Sequence, residues 1–448
     1  MKQFFANKFL PGLLGLLSLS AGPALAAPFL PGNVVVARVG ATGATAALAS
    51  VATAVFLDEY TPAGVLVQSI ALPTAASGVN LALTASGSAT SELNLTRSAD
   101  GRYLVLTGYD APVGTVGVGA TANPGTARVI ARIGADGVVN TTTAIGDAFG
   151  GNSIRMAATT NGQNFYAGGG NSGVRYVPFG NPATAPSTAI NTNPVNIRFI
   201  GAFGGNLYVT SGSGAPLLGV SQIGTGLPTT SGQTNTVITG TASLSPYAFF
   251  FADLNPAVAG VDVLYVADDN AAGGIQKYSL VGSTWTLNGT VGPGAAAVRG
   301  LAGRVVGTAV TLFATGPASL YTLADNAGYN AAPGTTTLPT AVATAGTNTA
   351  FRGVALAPTL TGTATRASQA LPGLAVFPSP ATDRLTVDLP TAGAATVALR
   401  DLAGRLVLAP AALGPDQQLR LPAGLPVGIY LLEVRQGNVT AVRRIEKN

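Results

Sequence analysis

The chain has 448 residues, of which 47% are hydrophobic and only 9% charged, with 59 glycines, 29 prolines and a formal net charge of +5. That length allows two or three domains with ample core, and short β-branched and aromatic runs bounded by Gly, Asn and Pro read as all-β structure, not disorder. There is no cysteine and no histidine, which excludes disulfides, thiol nucleophiles, iron–sulfur clusters, zinc fingers, His-ligated metals and Ser-His-Asp hydrolysis.

In chain order, Lys2 and Lys8 precede an apolar stretch, Phe9–Leu19, and then Ala24-Leu25-Ala26. Residues 1–26 are therefore expected to be a secretory signal peptide cut before Ala27. The apolar run is too short for a permanent membrane span, and no later segment is better suited, so no transmembrane segment is expected. Residues 28–360 carry twelve acidic and twelve basic side chains. The positive excess lies in Lys2, Lys8, Arg366 and the C-terminal region. A charge-balanced main domain lacks the clustered cations that nucleic acid requires.

Residues 91–357 repeat a theme of short strand, turn and second strand. The second strands stand out as Tyr103–Leu106, Asn164–Ala167, Asn206–Val209, Val263–Val266 and Thr311–Ala314. Their spacing is that of four-stranded propeller blades. Phe351–Leu356 reads as one more inner strand with no strands after it, while Asn33–Val39, Val51–Leu57 and Gly64–Leu72 lack an inner partner. Joining these ends completes a blade and hides both sheet edges. Inner strands are thus expected near residues 92, 154, 197, 247, 298 and 351, a β-propeller over residues 27–357 with six blades, or alternatively seven.

Counting back seven residues from the turn glycines Gly101, Gly162 and Gly205 reaches Asn94, Arg155 and Arg198. Arg299 and Arg352 also lie near the starts of inner strands. Convergent guanidiniums there would trap carboxylate, sulfate or phosphate. Alternatively they are solvated linings, or pair with Asp268, Asp269 or Glu92. The oxygen-rich turn Asp268-Asp269-Asn270 is a candidate calcium site, but it needs partners such as Asp110 or Asp325 to reach six to eight ligands. The other reading of that turn is local hydrogen bonding. Asp58 and Glu59 are adjacent on a strand and point to opposite faces, so they form no carboxylate pair.

Residues 358–373 read as an exposed linker. Beyond it, alternation in Leu385–Leu389 and Ala395–Leu399, a hairpin turn at Gly404-Arg405 and a final pair of apolar strands after Pro426-Val427-Gly428 predict a small Ig-like β-sandwich over residues 374–448.

Several stretches resemble known families. Ser98-Ala99-Asp100-Gly101-Arg102-Tyr103 is similar to a turn common in secreted propellers. Leu264–Asn270 followed by Ile275–Tyr278 resembles an NHL repeat, and the main domain as a whole looks like an NHL/YVTN-type propeller. Phe377-Pro378-Ser379-Pro380-Ala381, Asp383–Val387, Leu402–Val407 and Gly428–Val434 resemble the type A C-terminal sorting domain of the type IX secretion system of Bacteroidetes. Phe377 stands where that family usually has Tyr, and Ser379 where it has Asn. The resemblance implies export, recognition by the secretion machinery and display at the outer cell surface. Gly282-Ser283-Thr284-Trp285 matches only the end of the sialidase turn motif. The NHL-like blade is the one link to calcium-dependent gluconolactonases. The expectation is a surface-displayed binding or adhesion protein, possible partners including an anionic polysaccharide. The alternative is a calcium-dependent lactonase-like or glycan-degrading hydrolase or lyase.

Overall fold

The computed structural model describes residues 26–448 apart from 240–244, 272, 293–296, 361–370, 372, 392, 402–405 and 438. The expected signal peptide up to residue 25, most of the linker and the Gly404-Arg405 turn lie outside the described residues. Two compact units are present, Met1–Gly362 and Thr363–Asn448.

In the first unit, β1 (Val34–Val39), β2 (Ala52–Tyr60) and β3 (Leu66–Ala71) pair antiparallel in chain order. β4 (Thr84–Ser86) then leads to a second group: β5 (Thr96–Arg97), β6 (Tyr103–Tyr109), β7 (Arg128–Gly134) and β8 (Val139–Ile145). A third consists of β9 (Ile154–Ala158), β10 (Asn164–Gly169), β11 (Val174–Pro178) and β12 (Thr188–Asn191). A fourth consists of β13 (Ile197–Phe203), β14 (Asn206–Ser211), β15 (Gly219–Ile223) and β16 (Asn235–Val237). Next come β17 (Pro246–Ala252), β18 (Val263–Asp268), β19 (Gly274–Val281) and β20 (Thr284–Val291), and after them β21 (Gly300–Val306), β22 (Ala309–Thr315), β23 (Ser319–Asp325) and β24 (Ala343–Thr344). Finally β25 (Ala350–Leu356) pairs antiparallel with β1, setting Val34 opposite Leu356 and Val36 opposite Val354.

The leading strands β5, β9, β13, β17, β21 and β25 pack one on the next, and β25 packs back on β5. This closed, propeller-like order explains the burial pattern. Second strands are covered on both faces by neighbouring sheets: Val263–Asp268 is buried throughout, and Asn164–Gly169 in all but its first residue. Such strands read as continuous apolar runs and not as alternating ones. Outer strands such as β3 and β20 are much less buried, with one buried residue each. Separate apolar clusters fill the spaces between adjacent sheets, as where Phe199, Phe249 and Phe251 meet Leu301 and Leu312. Another joins β1 and β25 to β22 through Val36, Val354 and Phe313.

One strand departs from expectation. The leading strand foreseen near residue 92 is reduced to Thr96–Arg97, because Leu93 takes a φ of 60°, which no extended strand accommodates. β4, which bridges β2 and β6, was not foreseen. Close packing at the ring axis also demands glycine. A Cβ on Gly353 of β25 would sit 2.0 Å from the backbone nitrogen of Leu95.

The second unit has two antiparallel sheets. The first holds β26 (Ala375–Phe377), β27 (Arg384–Asp388) and β30 (Gln418–Arg420). The other orders β29 (Leu406–Ala412), β28 (Ala395–Asp401), β31 (Gly428–Gln436) and β32 (Val439–Lys447). Their inward side chains share one core, with Leu385, Val387 and Leu419 meeting Val397, Leu399, Leu432 and Ile445. Among the described residues of the whole chain, no helix is long and apolar enough to cross a membrane.

Candidate functional site

Equal spacing before the turns has a structural cause. Gly101, Gly162 and Gly205 adopt φ values of 77°, 76° and 78°, a conformation that glycine takes without strain. Each closes the hairpin from a leading strand to its second strand. Counting back the same distance therefore reaches the same level of the ring. There the Asn94 N–H donates to the Arg155 carbonyl at 3.1 Å, and farther round the Ala248 N–H donates to the Arg299 carbonyl at 3.1 Å.

The four predicted arginines form a chain of neighbours at this level. Arg155 Nη1 donates to Asn196 Oδ1 at 2.5 Å and to the Ile197 carbonyl at 3.2 Å. Burial first, and then the charge of Arg198, lower its pKa below the usual guanidinium value. Arg198 Nη1 donates to Ser245 Oγ at 2.6 Å. Its guanidinium also packs against Gly212, where a Cβ would come within 2.6 Å of Nε. Arg198 and Arg299 both approach the Tyr247 ring, at 4.6 and 5.5 Å from its centroid. Tyr247 occupies the place that arginine takes in the strands on either side, and its π face attracts both cations. Sequence reasoning passed over it, although its position after Pro246 at the start of a leading strand was the available signal.

Arg299 Nε donates to Asp269 Oδ2 at 2.8 Å. Arg352 is only 8% exposed. Its Nη2 donates to the Gly87 carbonyl at 2.8 Å, and its Nη1 to the Phe351 carbonyl at 3.1 Å. Burial, aided by the Arg299 charge and opposed by Glu92, pushes its pKa down to about 10. Arg299 and Arg352 line one small pocket together with Thr90, Glu92, Asn94 and Phe351.

Glu92 is the carboxylate this arrangement is built around, and it is 2% exposed. Its Oε1 accepts from Tyr109 OH at 2.7 Å and Ser153 Oγ at 2.8 Å, and Oε2 from the Ser86 N–H at 2.9 Å. Burial raises its pKa above the ordinary value, against the pull of these donors and of Arg352.

Asn94, which lines the same pocket, also bonds within the ring. Its amide donates to the Ser91 carbonyl at 3.0 Å and to the Arg198 carbonyl at 3.1 Å. The second bond reaches past the β9 group to the β13 group, so Asn94 ties the ring together across its axis. Both amide hydrogens are used in this way.

The Asp268-Asp269-Asn270 turn faces protein partners. Asp268 accepts from the Ser245 and Asn270 N–H groups, and Asp269 holds Arg299. The proposed helpers lie elsewhere. Asp110 accepts from the Ala82 N–H, and Asp325 is enclosed by Lys277 Nζ and Tyr265 OH, each at 2.7 Å. Among the described residues no three acidic side chains gather as a metal site would require. Asp58 and Glu59 point apart as expected: Asp58 pairs with Arg38, and Glu59 with Asn33 and Gln68.

Comparison with known families and structures adds the following. Residues 375–448 match the family model of the secretion system C-terminal sorting domain. This tail indicates secretion and attachment at the cell surface. No curated protein matches the chain. Among solved structures, the gluconolactonase XC5397 from Xanthomonas campestris is similar at 12% identity, covering 81% of this chain and 95% of that one, with a TM-score of 0.37. The extracellular domain of BT4673 from B. thetaiotaomicron is similar at 12% identity, covering 91% and 58%, with a TM-score of 0.39. Similarity at this level carries no argument about activity.

Proposed function

We propose that this chain is an exported, surface-displayed binding protein. In this reading, residues 27–357 form a six-bladed β-propeller that holds an anionic group of a glycan at the arginine-bearing end. Residues 1–26 direct the precursor into the periplasm, 358–373 connect the domains, and 374–448 form an Ig-like sandwich read by the type IX machinery. The observation that carries the binding function is the series Arg155, Arg198, Arg299 and Arg352 at one level of the ring. Two of its members share the Tyr247 ring, and Asp269 and Glu92 answer them with two carboxylates. Guanidiniums fixed by protein carbonyls and rings are already oriented, so an oxyanion meets donors that lose little freedom on binding. Calcium-dependent hydrolysis lacks comparable support, since Asp269 is held by Arg299.

Retention of the full chain on sulfated and uronic-acid glycan arrays tests this reading. Wild type should be retained and the Arg155→Ala/Arg198→Ala double variant should not. Equal retention of both, or none by wild type, would overturn it.

A further inference from the structure

The charges at the arginine-bearing end do not balance. Asp269 answers Arg299 at 2.8 Å, and Glu92 faces Arg352. Arg128, fully buried and held by the Thr121 and Phe149 carbonyls, faces Glu92 as well. A third carboxylate, Asp268, accepts from the Ser245 N–H and so stands behind the hydroxyl that holds Arg198. Five guanidiniums, those of Arg128, Arg155, Arg198, Arg299 and Arg352, thus meet three carboxylates, a surplus of at least two positive charges. The surplus has a location. Arg155 bonds only an amide oxygen and a carbonyl, and Arg198 only a hydroxyl, so neither has a carboxylate partner among the described residues. The two are neighbours. Asn94 bonds both of their carbonyls at 3.1 Å, and Arg155 Nη1 reaches the Ile197 carbonyl beside Arg198. Unlike Arg352, both are partly exposed. Donors remain unspent as well: in side-chain hydrogen bonds to described residues, Arg155 and Arg198 each use Nη1 alone.

From these observations we infer that the ligand presents two negative charges close together, met by the exposed parts of Arg155 and Arg198. The inference rests on the anion-binding reading above and specifies its ligand class. A single charge set between two neighbouring guanidiniums answers one of them and leaves the other unmatched. A second charge answers both and relieves their mutual repulsion. Arg299 does not need it, since Asp269 already holds its Nε. Each charge-assisted hydrogen bond contributes enough to be read as a change of about tenfold in affinity. Because both guanidiniums reach solvent, that gain is open to screening by salt.

The test is competition against retention of the full chain on an array glycan that holds it. The competitors are the unsulfated, monosulfated and disulfated chondroitin disaccharides, which carry one, two and three charges on one sugar backbone. From one charge to two, the concentration needed should fall about tenfold at low salt, and raising NaCl to about 300 mM should erase most of that gain. Arg155→Gln and Arg198→Gln each remove one surplus charge and should narrow the gap severalfold. Equal competition by the one- and two-charge members, a gap as wide in both variants as in wild type, or no competition by any member would overturn the inference. Should a variant fail to fold, the charge series and salt dependence of wild type decide alone. Glucose 6-phosphate places both charges on one group. If it competes as strongly as the two-charge disaccharide, the site takes a single dianionic group; if more weakly, it takes two neighbouring groups. Arginine-dependent array retention that is blind to the charge of the competitor would sink this inference and leave the binding function standing. Absence of any retention would remove both.

Discussion

Gly353→Ala should destabilise the first unit strongly, because this glycine sits where the ring closes. Its added Cβ would lie 2.0 Å from Leu95 N and 2.8 Å from both Asn94 C and Cα. All three are backbone atoms of the segment leading into β5, so no side-chain rotation relieves the contact. Overpacking a core typically costs 1–3 kcal/mol, and a backbone clash belongs at about 3 kcal/mol. Unfolding entropy of about 2.1 cal/mol/K per residue gives roughly 0.7 kcal/mol per degree for a unit of this size. The first-unit transition should therefore fall by about 4 °C in differential scanning calorimetry of the full chain, with the second unit unchanged. Gly32→Ala is the control: its φ is 92° with nothing within 4 Å of a Cβ, so it should show only the left-handed backbone penalty of about 1 kcal/mol. If Gly353→Ala melts within a degree of wild type, β25 and β5 do not meet as described and the closure argument fails.

Asp325→Asn leaves Lys277, which is fully buried, without its counter-charge, and should cost about 3–5 kcal/mol by chemical denaturation; a loss under 1 kcal/mol would mean the pair is not enclosed. Burial raises the Asp325 carboxyl, but Lys277, the Ala327 N–H and Tyr265 outweigh it and hold the pKa below the ordinary value. The stability it contributes is thus present above the ordinary carboxylate pKa and is lost as pH falls through its own lower one. Acid titrations of wild type and Asp325→Asn should converge only well below pH 4, and convergence near neutrality would contradict the assignment. Gly212→Ala places a Cβ 2.6 Å from Arg198 Nε, the end of a movable side chain. It should weaken anion binding several-fold while shifting the melting temperature little; unchanged affinity would place Arg198 outside the site.

Much of the architecture was legible because doubly covered second strands are apolar without interruption, so Val263–Val266 and Asn164–Ala167 announce themselves. Strand pairing between the ends was legible from the mismatch of three partnerless N-terminal strands with one unaccompanied strand at 351–356. The site was readable only as a repeated position relative to the turn glycines. Tyr247 was missed because it breaks that repetition by residue type while keeping its place. Glu92 and Asn94 were visible as residues but not in the hydrogen bonds they make. Leu93 turns out of extended conformation between them, and no local pattern foretells that a side chain will cross the ring axis to the Arg198 carbonyl. In the second unit, inward alternation in Leu385–Val387 and Ala395–Leu399 made the strands plain. Its sorting role rests on the family match.

A crystal structure of the full chain soaked with an anionic sugar that the glycan array retains tests the central claim most directly. The account predicts the charged group within hydrogen-bond distance of the guanidiniums at the arginine-bearing end of the ring, those of Arg155 and Arg198 among them. Sugar bound at saturating concentration on any other face, touching none of these arginines, would contradict it.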